Sequence, residues 1–193
     1  MKILLYFEAK KQIAQSGIGR AMKHQIKALV ENNIEYTLDP SDDYDILHIN
    51  TVGPSSEKII KKARLNGVPV VYHAHSTEED FKNSFVFSNV IAPFFKKRIT
   101  KLYSSSDLII TPTKYSKNLL ENYGITVPIL NISNGIDLDR FKNNENKEKA
   151  FKKYFNIQED QKVVFGVGLY FERKGIIDFI EVAKLLLHVI GRR

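Results

Sequence analysis

The chain has no cysteine in its 193 residues, which removes disulfide frameworks, thiolate metal sites and cysteine nucleophiles from consideration and suits a reducing cytosol. Long apolar runs are missing too. Nothing approaches the ~20 consecutive apolar residues of a membrane span. Met1 to Phe7 holds one lysine and a short apolar run before Glu8, too little for the apolar centre of a secretory leader. The expectation is a protein that is soluble or rests on a membrane surface. Acidic residues are absent from one stretch: residues 81–106 contain Lys82, Lys96, Lys97, Arg98 and Lys101 and no aspartate or glutamate. The formal charge of +7, from 29 basic and 22 acidic residues, makes an anionic partner plausible: nucleotide, nucleic acid or lipid surface.

What is present is a 43% apolar chain with room for one full core and a fragment of a second. Short runs of Ile, Val, Leu and Tyr alternate with helical patterns, as in βα units on a parallel sheet. Strands are expected near 2–7, 34–38, 45–50, 69–73, 108–111 and 128–132. Helices are expected near 20–32, 56–65, 77–83, 92–103 and 114–122. The strands are nearly continuous apolar runs, which fits a sheet covered by helices on both faces. The fold class is α/β, a doubly wound, Rossmann-like parallel sheet.

After Phe141 the composition turns to charged and amide residues, a connector leading into a basic helix that runs through Phe155. A new buried strand is expected at 162–168 and a helix at 175–189. One strand and one helix cannot cover each other's apolar faces. The organisation expected is therefore a first domain over 1–141, a connector and helix over 142–160, and the first strand and helix of an incomplete second Rossmann-like unit over 161–193. No internal repeat or low-complexity tract is found.

Several residues could carry chemistry. Gly17-Ile18-Gly19 precedes a helix, whose amides could hold a phosphate; a plain capping loop is the alternative. With Asp39 twenty residues on, the pattern mimics a dinucleotide fingerprint, but Met22 occupies the third glycine position and the turn does not follow its strand at once. His73 and His75 share one side of a strand end. With His48 they invite a zinc reading, for which no acidic third ligand is placed, or they are hydrogen-bonded structural histidines. Their position beyond the carboxyl end of a strand is where open α/β sheets bind ligands. Ser76 and Glu79 form an expected capping box, and Asn134-Gly135 an expected turn with positive φ.

Taken in order, Gly17-Ile18-Gly19-Arg20, His73-Ala74-His75-Ser76 and Asn134-Gly135-Ile136-Asp137 with Phe141 resemble the first half of the retaining, sugar-nucleotide-dependent glycosyltransferases of family 4. The resemblance implies the two-Rossmann GT-B fold. It also implies a catalytic-site role for His75, the better match of the pair, and donor contacts from Gly17, Gly19, Asn134 and Gly135. Residues 164–175 resemble the first strand and turn of the donor domain, where the family sets an arginine and a lysine on the donor diphosphate. Lys174 matches. Leu169 stands where many members have the arginine, and Arg173 lies four residues later. The subgroup most similar is the Gram-positive glucosyltransferases acting on diacylglycerol. That similarity implies UDP-glucose or another nucleotide sugar as co-substrate, a diacylglycerol-type acceptor, an α-linked product, and neither cofactor nor metal. The acidic motif that grips the sugar in this family is absent from the 193 residues, so the chain alone is expected to lack turnover.

Between Ile91 and Tyr103, helical spacing gathers Ile91, Phe95, Ile99 and Leu102 on one arc and leaves Lys96, Lys97 and Lys101 largely opposite. With Arg98 and the paired Phe94 and Phe95, this helix could dock on anionic lipid, or be an ordinary core helix with a basic wet side. No nucleic-acid reader motif is present. The location expected is cytoplasmic, peripheral on the inner face of the plasma membrane. A non-catalytic membrane-binding module is the competing reading, and a nicotinamide-binding Rossmann protein a more distant one.

Overall fold

The computed structural model describes residues 1–142, 144–158, 161, 163–168 and 174–190. The chain divides into two compact units, Met1–Lys82 with Phe87–Ile136, and Asn83–Val86 with Asp137–Arg193.

The first unit is built on β1 (Lys2–Tyr6), α1 (Lys10–Ile13), α2 (Gly17–Glu31), β2 (Glu35–Thr37), β3 (Ile46–Ile49), α3 (Pro54–Leu65), β4 (Val70–His73), α4 (Glu78–Phe81), α5 (Ser88–Tyr103), β5 (Leu108–Thr111), α6 (Lys114–Asn122) and β6 (Ile129–Asn131). The six strands form one all-parallel sheet in the order β2-β1-β3-β4-β5-β6. Every strand expected of the first domain forms, within two residues of its expected ends. From β1 the chain crosses to β2 on one side, and from β3 it proceeds to β4, β5 and β6 on the other. The direction of winding therefore reverses between β1 and β3, and the crevice beyond their carboxyl ends is the ligand position in such sheets.

Alternation along the strands separates two faces. On one, Leu4, Leu47, Ile49, Val70, Tyr72 and Ile109 pack with Ile59, Ile60 and Ala63 of α3, Ile99, Leu102 and Tyr103 of α5, and Leu120 of α6. Burying each large aliphatic side chain here contributes about 1.5–3 kcal/mol. The two core tyrosines meet edge to face at 4.7 Å and 72°, and both hydroxyls are satisfied: Tyr72 donates to the Thr51 carbonyl at 2.5 Å and Tyr103 to that of Ser76 at 2.9 Å. The opposite face carries His48, Asn50 and His73, over which α2 lies.

Four local expectations are corrected. The short helix α1 was not expected: Ala9, at φ 52°, turns the chain tightly after β1. The cap of α4 is Thr77 and not Ser76: the Thr77 hydroxyl accepts from Asp80 N at 3.2 Å. Helix α5 starts four residues early and Ile91 is exposed, while Phe95, Ile99 and Leu102 face inward as expected. Helices cover both faces unevenly: α3, α5 and α6 lie on the apolar face, and Leu130 of β6 and Ile132 just past it are half-exposed.

In the second unit, a short 3-10 turn at Leu138–Phe141 precedes α7 (Glu145–Tyr154) and α8 (Ile176–Ile190). The cap of α7 is Asn144, accepting from Lys147 N at 3.1 Å. The strand expected at 162–168 is not formed in 163–168, which has no regular secondary structure. An isolated strand has no ladder partner for its amides and carbonyls, and here Phe165 and Val167 are 76% and 90% exposed. Apolar side chains of α8, including Ile177 and Leu185, are exposed as well. Among the described residues no helix is long and apolar enough to cross a membrane.

Candidate functional site

At the carboxyl ends of β3 and β4, period-two alternation puts His48 and Asn50 on one face, and His73 and His75 on the same side of their strand. The parallel register that sets Ile49 opposite Tyr72 brings Asn50 alongside His73. The imidazoles stack in a row: His48 on His73 with centroids 5.6 Å apart and planes 1° from parallel, and His73 on His75 at 4.3 Å and 8°. Gln25 reaches down from α2, its Nε2 lying 2.8 Å from Asn50 Oδ1 and 2.9 Å from His73 Nδ1. Asn50 Oδ1 is also 3.0 Å from His75 Nε2.

Burial dominates the electrostatics. Desolvation lowers the pKa of His48 to about 3, helped by His73; it lowers His75 to about 3, helped by His73 and His48. For His73 burial lowers the value to about 4 against the opposing influence of Asn134. All three rings are neutral near pH 7, so each offers one donor and one acceptor and none can neutralise a phosphate. Asn134 lies close enough to favour charge on His73, yet neither His73 Nε2 nor Asn134 Oδ1 has a hydrogen bond of ordinary geometry. Among the described residues both are buried without a partner, as are Gln25 Oε1 and His48 Nε2. Buried polar atoms are nearly always paired. Orphans around one histidine stack, next to the sheet's switch point, mark a place built to meet a polar ligand or water.

No group of three or more histidine and carboxylate side chains is arranged to hold a metal among the described residues. Face-to-face stacking does not converge ring nitrogens on one point, as zinc requires.

The other expected site residues fall as follows. Gly17 and Gly19 form the first turn of α2, capped by the Ser16 hydroxyl, which accepts from Gly19 N at 3.2 Å. Gly19 is needed for packing: a Cβ there would lie 2.2 Å from the Ile13 carbonyl oxygen, whereas Gly17 faces open space. Asp39, the residue a nicotinamide reading needs, is engaged by Ser41, accepting from its amide at 2.9 Å and its hydroxyl at 2.7 Å. Gly135 has the expected positive φ, 77°, and its amide donates to the Ser133 hydroxyl at 3.2 Å. Lys174 is exposed. Leu169 and Arg173 lie outside the described residues.

On α5 the basic side chains are more engaged than an open cationic face would have them. Lys96 pairs with Glu78 at 3.2 Å and sits 4.3 Å from the Tyr123 ring centroid. Arg98 donates to the carbonyls of Val52 at 2.9 Å and Gly53 at 2.7 Å. Lys101 pairs with Glu57 at 2.9 Å. Phe95 stacks on Phe81 at 4.2 Å. Phe94 stays 74% exposed, at the rim of a cavity of about 230 Å³ lined by Glu57, Phe94, Lys97, Arg98, Lys101 and Leu102. Phe94, expected as an insertable group, joins Phe87, Val90 and Ile91 in an apolar stripe that lies exposed at i, i+3, i+4 and i+7 and leads toward Lys97 and Lys101.

Sequence reasoning also missed Gln25, Asn50 and Glu8. Gln25 is a polar residue on the inward arc of α2, four positions from buried Ala21, and Asn50 is the first residue past β3; both signals were readable. Glu8, just past β1, caps α3: its carboxylate accepts from the amides of Ser55 at 2.7 Å and Ser56 at 3.1 Å and from the Ser56 hydroxyl at 2.6 Å.

This geometry has relatives. The chain is 48% identical over 190 residues to the processive diacylglycerol alpha-glucosyltransferase of Acholeplasma laidlawii, a match that covers 98% of this chain and 56% of that protein. It thus spans about half the length of the curated relative it matches. In fold it is similar to HepE of Anabaena, solved in complex with UDP and glucose, at TM-score 0.54 and 14% identity over 81% of this chain and 50% of that one. The same protein solved with UDP-glucose gives TM-score 0.54 and 15% identity over 82% of this chain and 50% of that one. At such identities the likeness is one of fold. Residues 20–140, well over half of the chain, match the model of Glycosyltransferase Family 4, and the chain belongs to that family.

Proposed function

We propose that this chain supplies the acceptor side of a retaining hexosyltransferase that moves glucose from UDP-glucose to the hydroxyl of a diacylglycerol-type lipid. The observation that carries this reading is the 48% identity to a diacylglycerol glucosyltransferase along 98% of the chain. The site fits it. Transfer breaks the bond between the anomeric carbon and the diphosphate oxygen, forms one to the lipid oxygen, and releases the lipid's proton. A neutral His75 beside the sugar can hydrogen-bond a hydroxyl or help move that proton. Charge developing on the departing diphosphate needs separate donors. In this reading they are Lys174, Arg173 and the amides of Gly17 and Ile18 in the first turn of α2, with Asn134 and Gly135 bordering the donor. The nucleotide sugar is a co-substrate, and the chemistry needs no cofactor or metal.

The acceptor is carried by a membrane, and the outward stripe Phe87, Val90, Ile91 and Phe94 with Lys97 and Lys101 suits contact with an anionic surface. Partly paired lysines such as Lys101 can exchange a carboxylate for a lipid phosphate. This stripe also favours the second reading, a membrane-surface module without turnover. One experiment separates them. The natural protein that carries this sequence is incubated with labelled UDP-glucose and vesicles of diacylglycerol and phosphatidylglycerol, in parallel with the 193-residue chain. Glucosyl-diacylglycerol from the natural protein and vesicle pelleting without product from the chain are expected. Pelleting without product from both would leave the module reading, and neither would overturn both.

A further inference from the structure

We propose that Asn50 is a positioning residue that holds the proton of His75 on Nε2, and that Gln25, bound to the same oxygen, holds the proton of His73 on its Nε2. The importance given to His75 rests on the transferase reading above; the placement of the protons rests on the hydrogen bonds alone.

Asn50 is 2% exposed, so its amide must find partners inside. Its oxygen lies 2.8 Å from Gln25 Nε2 and 3.0 Å from His75 Nε2, and its nitrogen faces the His48 backbone carbonyl at 3.5 Å. That last contact is long, but it fixes the sense of the network, because a carbonyl can only accept. Turning both amides over would set two oxygens against each other at His48. It would also leave the two-donor nitrogen of Gln25 where a single acceptor, Oε1, is now unfilled. With Asn50 Oδ1 facing two donors, His75 Nε2 must carry hydrogen, and its Nδ1 keeps the lone pair. The second N–H of Gln25 points at His73 Nδ1, 2.9 Å away. That atom therefore accepts, and the His73 proton sits on Nε2, the buried atom beside Asn134.

Two stacked neutral rings thus present opposite characters, an acceptor at His75 Nδ1 and a donor at His73 Nε2. Neither ring chooses this by itself, since a free neutral imidazole interconverts between tautomers. The choice comes from two amides, one just past β3 and one on α2.

Nitrogen-15 histidine spectra of the 193-residue chain at pH 7 test the assignment without any glucose transfer, so this inference and the transferase reading can fail separately. Both His73 and His75 should appear as the Nε2–H form. Asn50→Ala should shift His75 toward Nδ1–H or a mixture, and Gln25→Leu should do the same to His73. Asn50→Asp, which keeps an acceptor in place, should restore the Nε2–H form of His75 and raise its pKa, a change that lost packing would not produce. An Nδ1–H form of His75 in the unmodified chain overturns the inference, as does an unchanged tautomer in a folded Asn50→Ala. If Asn50→Ala does not fold, the unmodified spectrum and the Gln25→Leu and Asn50→Asp variants decide it.

Discussion

On one side of β3 and β4, Leu47, Ile49, Val70 and Tyr72 are fully buried, apolar or satisfied, and backed by three helices. On the other side, one residue along, Asn50 and His73 are nearly as buried, and His48 and His73 each leave a buried ring nitrogen unpaired. Burial is the same and its consequence is opposite: the first face stabilises the sheet, and the second holds groups in states that water would not favour. A strand's alternation lets consecutive residues serve these two ends without separate domains. Real proteins accept such local cost at sites that bind or react.

The comparison breaks most visibly with acid. His48, His73 and His75 have folded pKa values of about 3, 4 and 3, below the ordinary 6.5. As the pH falls below 6.5 the unfolded chain takes up protons that the folded chain refuses, so stability declines as pH drops from 6.5 toward 4. One pKa unit is worth 1.36 kcal/mol, so each histidine contributes a loss of about 2 kcal/mol between pH 6.5 and 5, and the three together up to about 6 kcal/mol. The carboxylates held below their usual range, Glu57, Glu78 and Asp107, lose their contribution only at lower pH. Urea midpoints measured at pH 7, 6 and 5 should fall steadily; coincident midpoints would contradict the neutral stack.

On the apolar face the expected effect is smaller and independent of pH. Leu47 is fully buried between Leu4 and Val70, and Leu47→Ala should cost about 3 kcal/mol through lost transfer energy and the cavity left behind. The loss should be the same at pH 7 and pH 6. A cost below about 1 kcal/mol, or one that grows with acid, would mean that the two faces are not independent.

Much of this was legible beforehand. Apolar runs such as residues 108–111 announce buried strands because both faces need cover, and all six strands of the first unit are found where expected. The histidine pair and the Asn134-Gly135 turn could be placed at strand ends by period and turn chemistry. What could not be read was long-range partnership. Gln25 lies 48 positions from His73, and Glu8 caps a helix 47 residues on; nothing local pairs them. Charge counting misled on α5, because Lys96 and Lys101 meet Glu78 and Glu57 of other helices. Within 163–168 the apolar pattern did read as a strand, but a strand is completed by neighbours.

The smallest effect is also the most discriminating, because its sign differs from the others. His48 Nε2 is buried and unpaired, and leaving such a group unsatisfied costs about 1–3 kcal/mol, whereas an apolar replacement of similar shape removes that cost. His48→Leu should therefore be neutral or stabilising by up to about 1 kcal/mol at pH 7, in contrast to the loss expected when the neighbouring Leu47 is cut back. It should also remove about a third of the acid sensitivity between pH 6.5 and 5, since one of the three buried rings is gone. Chemical denaturation of the variant at both pH values tests this. A clear destabilisation at pH 7 with the acid slope unchanged would mean that His48 serves the packing of the sheet, and the division between its faces would have to be drawn between His48 and Asn50 instead.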